Sequence, residues 1–321
     1  MTQISGTFDS YDSVNFEDLS NVLYNISPTQ TPFMSNIGRS KATATFHEWV
    51  IESLAAADGT NAVIEADDAT IDTGNTGTRV GNRVQISDKA VIVSDTNEWI
   101  NSPGDNASLA HQLALKTKEI KRDMETILTS NQASVTGSSA VARKLGGYES
   151  WITTNDSRAT SGTPGADGGF SSGNTAAATD GTQRAFTEAL LKAVLKACYD
   201  AGGEPDTVSV GSFNKQVASG FPGIATQTKT NTGTGQATIL AGADVYVGDF
   251  GTVQIVPNRF QRARSALVYD SSMWAVAYGK ALHMDELAKT GHAEKRMLTV
   301  EYTLEARNEA SSGVVADLLT S

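Results

Sequence analysis

With 321 residues, 39% of them apolar, the chain can bury a sizeable core in two domains or one elaborated one, which excludes a disordered tail. A formal charge of −11 excludes tight nucleic-acid binding, which needs clustered Lys and Arg to replace counterions, and leaves room only for loose or local contact with DNA. A single cysteine, Cys198, rules out an internal disulfide and a Cys-rich metal site, and no apolar run approaches the roughly 20 residues that span a bilayer.

The opening MTQISGTFDSYDS lacks the basic and apolar blocks of a secretory signal, so a soluble chain made in the cytoplasm is expected. Within residues 1–40, Phe16, Leu19, Val22, Leu23 and Ile26 are scattered apolar anchors, and Pro28 and Pro32 interrupt helix. This pattern predicts a short helix and an extended arm that must lie against another surface. Residues 43–51 and 78–93 are rich in β-branched and aromatic types and read as two strands. In the second, Val80, Val84, Ile86, Ala90 and Ile92 alternate with Arg79, Arg83, Gln85, Ser87 and Lys89, which predicts an apolar face and a basic one. Residues 54–77 between them are small and acidic, so residues 41–95 read as a long hairpin with a polar tip.

Helical spacing of Leu109, Leu113, Ile120, Met124, Ile127 and Leu128 predicts a helix over 105–133, capped by Asp105 or Asn106. At 1.5 Å per residue it would run roughly 42 Å. Its other face carries Lys116, Lys118, Lys121 and Arg122, for which Lys121–Glu125 and Glu119–Arg122 pairs predict a solvated surface. Residues 153–183 hold one large apolar side chain, Phe170, and read as a projecting Gly-rich loop. Leu190, Leu191, Val194, Leu195, Cys198 and Tyr199 line one face of a helix ended by Gly202 and Gly203. Strands follow at 207–210, 243–256 and 266–278. Residues 298–307 alternate most cleanly, with Leu298, Val300, Tyr302, Leu304 and Ala306 inward.

No catalytic constellation emerges. GFSSG at 169–173 matches a hydrolase elbow around Ser171 but has no strand before it, and Gly233-Thr234-Gly235 lacks both the third glycine and the strand of a dinucleotide site. His47, His111, His283 and His292 are too scattered for a metal motif. Glu65, Asp67, Asp68 and Asp72 lack the order of a calcium loop and suit a solvated tip or a salt-bridge surface between subunits. No catalytic, metal or cofactor residue is therefore assigned.

Several ordered blocks resemble the tailed-bacteriophage major capsid proteins of the Hong Kong 97-type fold. They are NISPTQTPF (25–33), FHEW (46–49), SLAAAD (53–58), EIKRDME (119–125), ARKLGG (142–147), VPNRF (256–260), LAKTG (287–291) and EKRMLTVEYTLEARNE (294–309). The resemblance implies an α+β capsid fold: an N-terminal arm (1–40), an extended hairpin loop (41–95), a peripheral domain (96–185) with a spine helix, and an axial domain (186–280). Return strands and the C-terminus (281–321) complete it. It also implies a non-enzymatic virion subunit that assembles with itself into pentamers, hexamers and an icosahedral shell around double-stranded DNA. Portal and scaffolding proteins, and a decoration protein, are the further partners implied; no membrane is. Candidate intersubunit contacts are Arg79, Arg83 and Lys89 on the basic hairpin face and Glu65, Asp67 and Asp68 at the tip. The alternatives are an encapsulin-like compartment, a filament-forming surface protein and a hydrolase using Ser171.

Overall fold

The computed structural model describes residues 27–66, 68, 74, 77–100, 108–166, 175–221 and 244–321. Its elements in chain order are α1 (Pro32–Asn36), β1 (Gly38–Lys41), β2 (Phe46–Ile51), β3 (Thr78–Arg83), β4 (Gln85–Ser94), α2 (Asp95–Trp99), α3 (Leu109–Leu128), α4 (Tyr148–Trp151), β5 (Asp156–Ser157), α5 (Glu188–Asp200), β6 (Thr207–Val210), α6 (Ser212–Ser219), β7 (Val245–Gly248), β8 (Gly251–Pro257), β9 (Ala266–Tyr269), β10 (Trp274–Glu286), β11 (Ala293–Ala306) and β12 (Gly313–Val315). The described strands form a four-stranded sheet ordered β1-β10-β11-β4, a six-stranded sheet ordered β5-β12-β9-β6-β8-β7, and the hairpin β2-β3. Mixed helices and sheets place the chain in the expected α+β class.

The four-stranded sheet carries α3. Leu298, Val300, Tyr302, Leu304 and Ala306 of β11 are buried as their alternation predicts, and the last four share a core with Ile120, Met124 and Leu128 of α3. Each such side chain contributes roughly 1.5–3 kcal/mol on leaving water. Thr303 and Glu305, on the opposite face of β11, are also buried, because β2 lies over that end of the strand. The helix is shorter than predicted. Ser108 caps it by accepting the His111 N–H at 3.2 Å, and at the other end the Thr129 and Ser130 hydroxyls donate to the carbonyls of Glu125 and Ile127. Its 20 residues span about 30 Å.

The six-stranded sheet carries α5 and α6, and its core joins Leu191, Val194, Leu195 and Cys198 to Val208, Ile255, Val268 and Val315. Strand pairing crosses between the two sheets at two places. β10 leaves the region expected to be axial and pairs with β11, whereas β12, near the C-terminus, enters the six-stranded sheet between β5 and β9. Tyr148 ties the two layers together, since its hydroxyl donates to the carbonyls of Val268 and Gly313 and its ring packs edge-on to Phe33 and Tyr269.

The predicted second strand is two strands. At Val84 the chain changes partner: its N–H donates to the Thr45 carbonyl at 2.9 Å, and its own carbonyl accepts from Arg143 Nε. Before that point β3 pairs with β2; after it β4 pairs with β11. The change also shifts which face is buried, as a one-residue slip must. Val80 and Val84 are buried, but beyond them Val91 and Val93 take the inner face, leaving Ile86 53% and Ile92 62% exposed. The expected single apolar face therefore does not continue along the strand.

The tract 153–183 does not project along its described length. Backbone bridges join Thr163 to Thr179 and Ala166 to Ala176, β5 pairs with β12, and the buried Asp317 carboxylate accepts the N–H groups of Ala159 and Gly181. Small residues permit this close passage; a Cβ on Gly165 would come within 2.4 Å of the Ser150 carbonyl oxygen. Ser171 and the surrounding GFSSG residues 169–173 lie outside the described residues.

Candidate assembly surfaces

The hairpin base is locked to the body through its inner face. His47 Nε2 lies 3.3 Å from Glu305 Oε2, Trp49 Nε1 donates to the Ala306 carbonyl at 2.9 Å, and the Trp49 ring packs on Trp151 with centroids 5.6 Å apart. Buried Asn82 completes the lock by donating to the carbonyls of Gly146 and Leu304 and accepting the Gly146 N–H at 2.8 Å. Glu305 also accepts from Ser40 and from Arg307 Nε at 3.0 Å. These donors, His47 foremost, hold its carboxyl down at about 2 despite burial.

The outer face and the tip have no such cover. Arg79 extends into solvent 3.8 Å from Glu48, with its side chain 72% exposed, and Arg83 stacks on Phe46 at 4.2 Å. Beyond β2 the tip presents Leu54 98%, Val63 87% and Ile64 77% exposed. Glu65 and Asp68 are exposed beside them, whereas Asp67 lies outside the described residues. Lys89 lies outside the β2–β3 pair. It stands on β4, and its Nζ is 2.8 Å from Asp123 and 4.0 Å from Glu119 of α3, an intramolecular pairing that raises its pKa.

A second junction ties the arm to α3. Both oxygens of Glu125 are used: Oε1 accepts the Phe33 N–H at 2.8 Å and Asn258 Nδ2 at 2.7 Å, and Oε2 accepts the Met34 N–H at 2.9 Å. The carboxylate thus serves the first turn of α1, where amide N–H groups otherwise lack partners. Burial pushes its pKa up against the pull of those three donors. Phe33, Glu125 and Asn258 come from three separate sequence blocks, NISPTQTPF, EIKRDME and VPNRF, and meet at this one carboxylate. The predicted Lys121–Glu125 pair is accordingly not formed, and Glu119 faces Lys116 at 2.9 Å rather than Arg122, which lies over the Phe260 ring at 5.1 Å.

One further cluster, which no motif announces, pins the Gly-rich tract. Arg262 donates to Glu149 at 2.8 Å and Asp180 at 2.6 Å, Arg264 donates to Asp317 at 2.8 Å, and Arg158 pairs with Asp156 at 2.7 Å. Burial nonetheless raises the Asp156 carboxyl to about 6. Cys198 is buried with its thiol pushed up to about 12 by burial, and among the described residues no three His, Cys, Asp or Glu side chains converge on a metal position.

Comparison with known proteins places this architecture. The cyanophage A-1(L) capsid shares the fold with a TM-score of 0.67 at 14% identity, covering 96% of this chain and 98% of that one. An encapsulin from Synechococcus elongatus shares it with a TM-score of 0.52 at 13% identity, covering 96% and 93%. The major capsid protein of Escherichia phage Phieco32 is 28% identical, with 96% of each chain covered. The family model described as SU10 major capsid protein matches residues 2–319, and the chain belongs to that family, the major capsid proteins of tailed phages.

Proposed function

We propose that copies of this subunit are stitched into pentamers, hexamers and a closed icosahedral shell around double-stranded DNA by the hairpin tip of each copy seated on its neighbour. The observation that carries this reading is the exposure of Leu54, Val63 and Ile64, three large apolar side chains on a hairpin whose base is fixed to its own body. Burying each against a second copy contributes roughly 1.5–3 kcal/mol, and closure of a ring or shell multiplies weak contacts. Arg79 and Arg83 and the tip carboxylates Glu65, Asp67 and Asp68 orient that contact more than they strengthen it. Portal and scaffolding proteins are the partners a DNA-filled shell requires, and a decoration protein fits its outer surface. The fold is shared with an encapsulin, but the family match lies with phage capsid proteins.

The test replaces Leu54, Val63 and Ile64 together by Ser. Melting of the subunit should stay cooperative and within a few degrees of the parent, because none of the three belongs to its core, whereas assembly followed by light scattering should slow at least tenfold. Assembly at the parent rate would refute the tip contact.

A further inference from the structure

We propose that Lys118, Lys121 and Arg122 of α3, with Arg259 beside them, form a loose contact surface for the phosphate backbone of packaged duplex DNA. The proposal rests on the reading of the chain as a shell subunit around DNA. Its basis is where the neighbouring carboxylates have gone. Glu119 and Asp123 are taken by Lys116 and Lys89, and Glu125 is buried against the first turn of α1. Lys192, Lys196, Lys280 and Lys289 likewise each hold a carboxylate within 3.3 Å. Among the described residues no carboxylate lies within 4.0 Å of Lys118, Lys121, Arg122 or Arg259. Lys118, Lys121 and Arg259 are exposed. Arg122 lies over the ring of Phe260, the residue after Arg259, at 5.1 Å, which brings Arg259 to the same part of the surface.

Positions 118, 121 and 122 share one helical face within about 6 Å of helix, a length over which a duplex presents several phosphates. On a chain of charge −11 these cations, grouped on one helical face, make a local point of attraction for a phosphate backbone. Weakness is functional, since a genome must slide past every copy while it is packed. An acidic protein segment, such as the hairpin tip of another copy, is the competing occupant.

The experiment measures binding of a labelled 20-base-pair duplex to purified capsomers by fluorescence anisotropy, from 50 to 200 mM KCl. Four phosphate contacts predict a slope of about −3.6 in log K against log salt, hence on the order of 100-fold weaker binding across that range. K118Q/K121Q should make the slope shallower by about 1.8 and leave shells normal by electron microscopy. Three results would overturn the proposal: no duplex binding at 50 mM, a slope unchanged in the variant, or binding of a peptide of residues 54–77 that needs both lysines while the duplex does not bind. Shells lost only in the variant would mark the surface as an assembly interface and overturn it too. A parent chain that forms no shells would instead retract the capsid reading and the surface with it.

Discussion

Glu305 shows how much of the hairpin attachment depends on one ionised group. Its carboxyl is held at about 2, below the ordinary 4.5, first by His47 and then by Ser40 and Arg307. A folded-state pKa below the unfolded one means that the unfolded chain binds the proton more readily. The stabilisation is therefore complete above about pH 4.5 and is lost as the pH falls toward 2. Glu305→Gln should cost about 1–3 kcal/mol at pH 7 and flatten the fall in melting temperature between pH 5 and pH 2. Thermal melts of the two proteins across that range check this, and parallel curves would show that the ion contributes nothing. Asp156 acts in another window with the opposite sign. With a folded value of about 6 against an ordinary 3.8, it makes folding less favourable as the pH rises from about 4 to 6.

At the level of elements, the two arginines of β3 are not equivalent. Arg79 reaches solvent from the outer face, so Arg79→Glu should alter stability by no more than about 0.5 kcal/mol. Arg83 covers the Phe46 ring at the hairpin base, and Arg83→Glu should lower the melting temperature as well. If both face carboxylates of an adjacent copy, each reversal slows or misdirects shell assembly and the effect weakens with added salt. Light-scattering kinetics beside thermal melting separates the two consequences. Unchanged kinetics for Arg79→Glu at every salt concentration would remove this residue from the interface.

For the molecule as a whole, the expected arm is described only from residue 27 onward; residues 1–26 lie outside the described residues. Phe33 is fully buried against Tyr148 and Tyr269, and its amide is held by Glu125, so α1 is anchored to the subunit core through Phe33 and Ile37. Removing residues 1–26 spares all of these contacts. The truncated chain should keep a cooperative melting transition and lose assembly, as read by calorimetry and by electron microscopy of the products. Loss of the transition would place the removed residues in the subunit core.

By itself the sequence determined the face of β11 that is buried, the apolar stripe of α3 and that of α5 as far as Cys198, and, through its ordered blocks, the family. These are local properties: side-chain period decides what shares a face, and residue type decides whether that face leaves water. Only the tertiary structure decided that residues 78–93 change partner at Val84, that Lys89 is spent on α3, that Glu125 serves the arm instead of Lys121, and that the Gly-rich tract is tied down by Arg262, Arg264 and Asp317. In each case the deciding hydrogen bond or ion pair joins residues far apart in the chain. An alternating or charged pattern is compatible with several such partners, and the packed core selects among them by which buried carboxylates and guanidinium groups its fold brings within hydrogen-bonding distance.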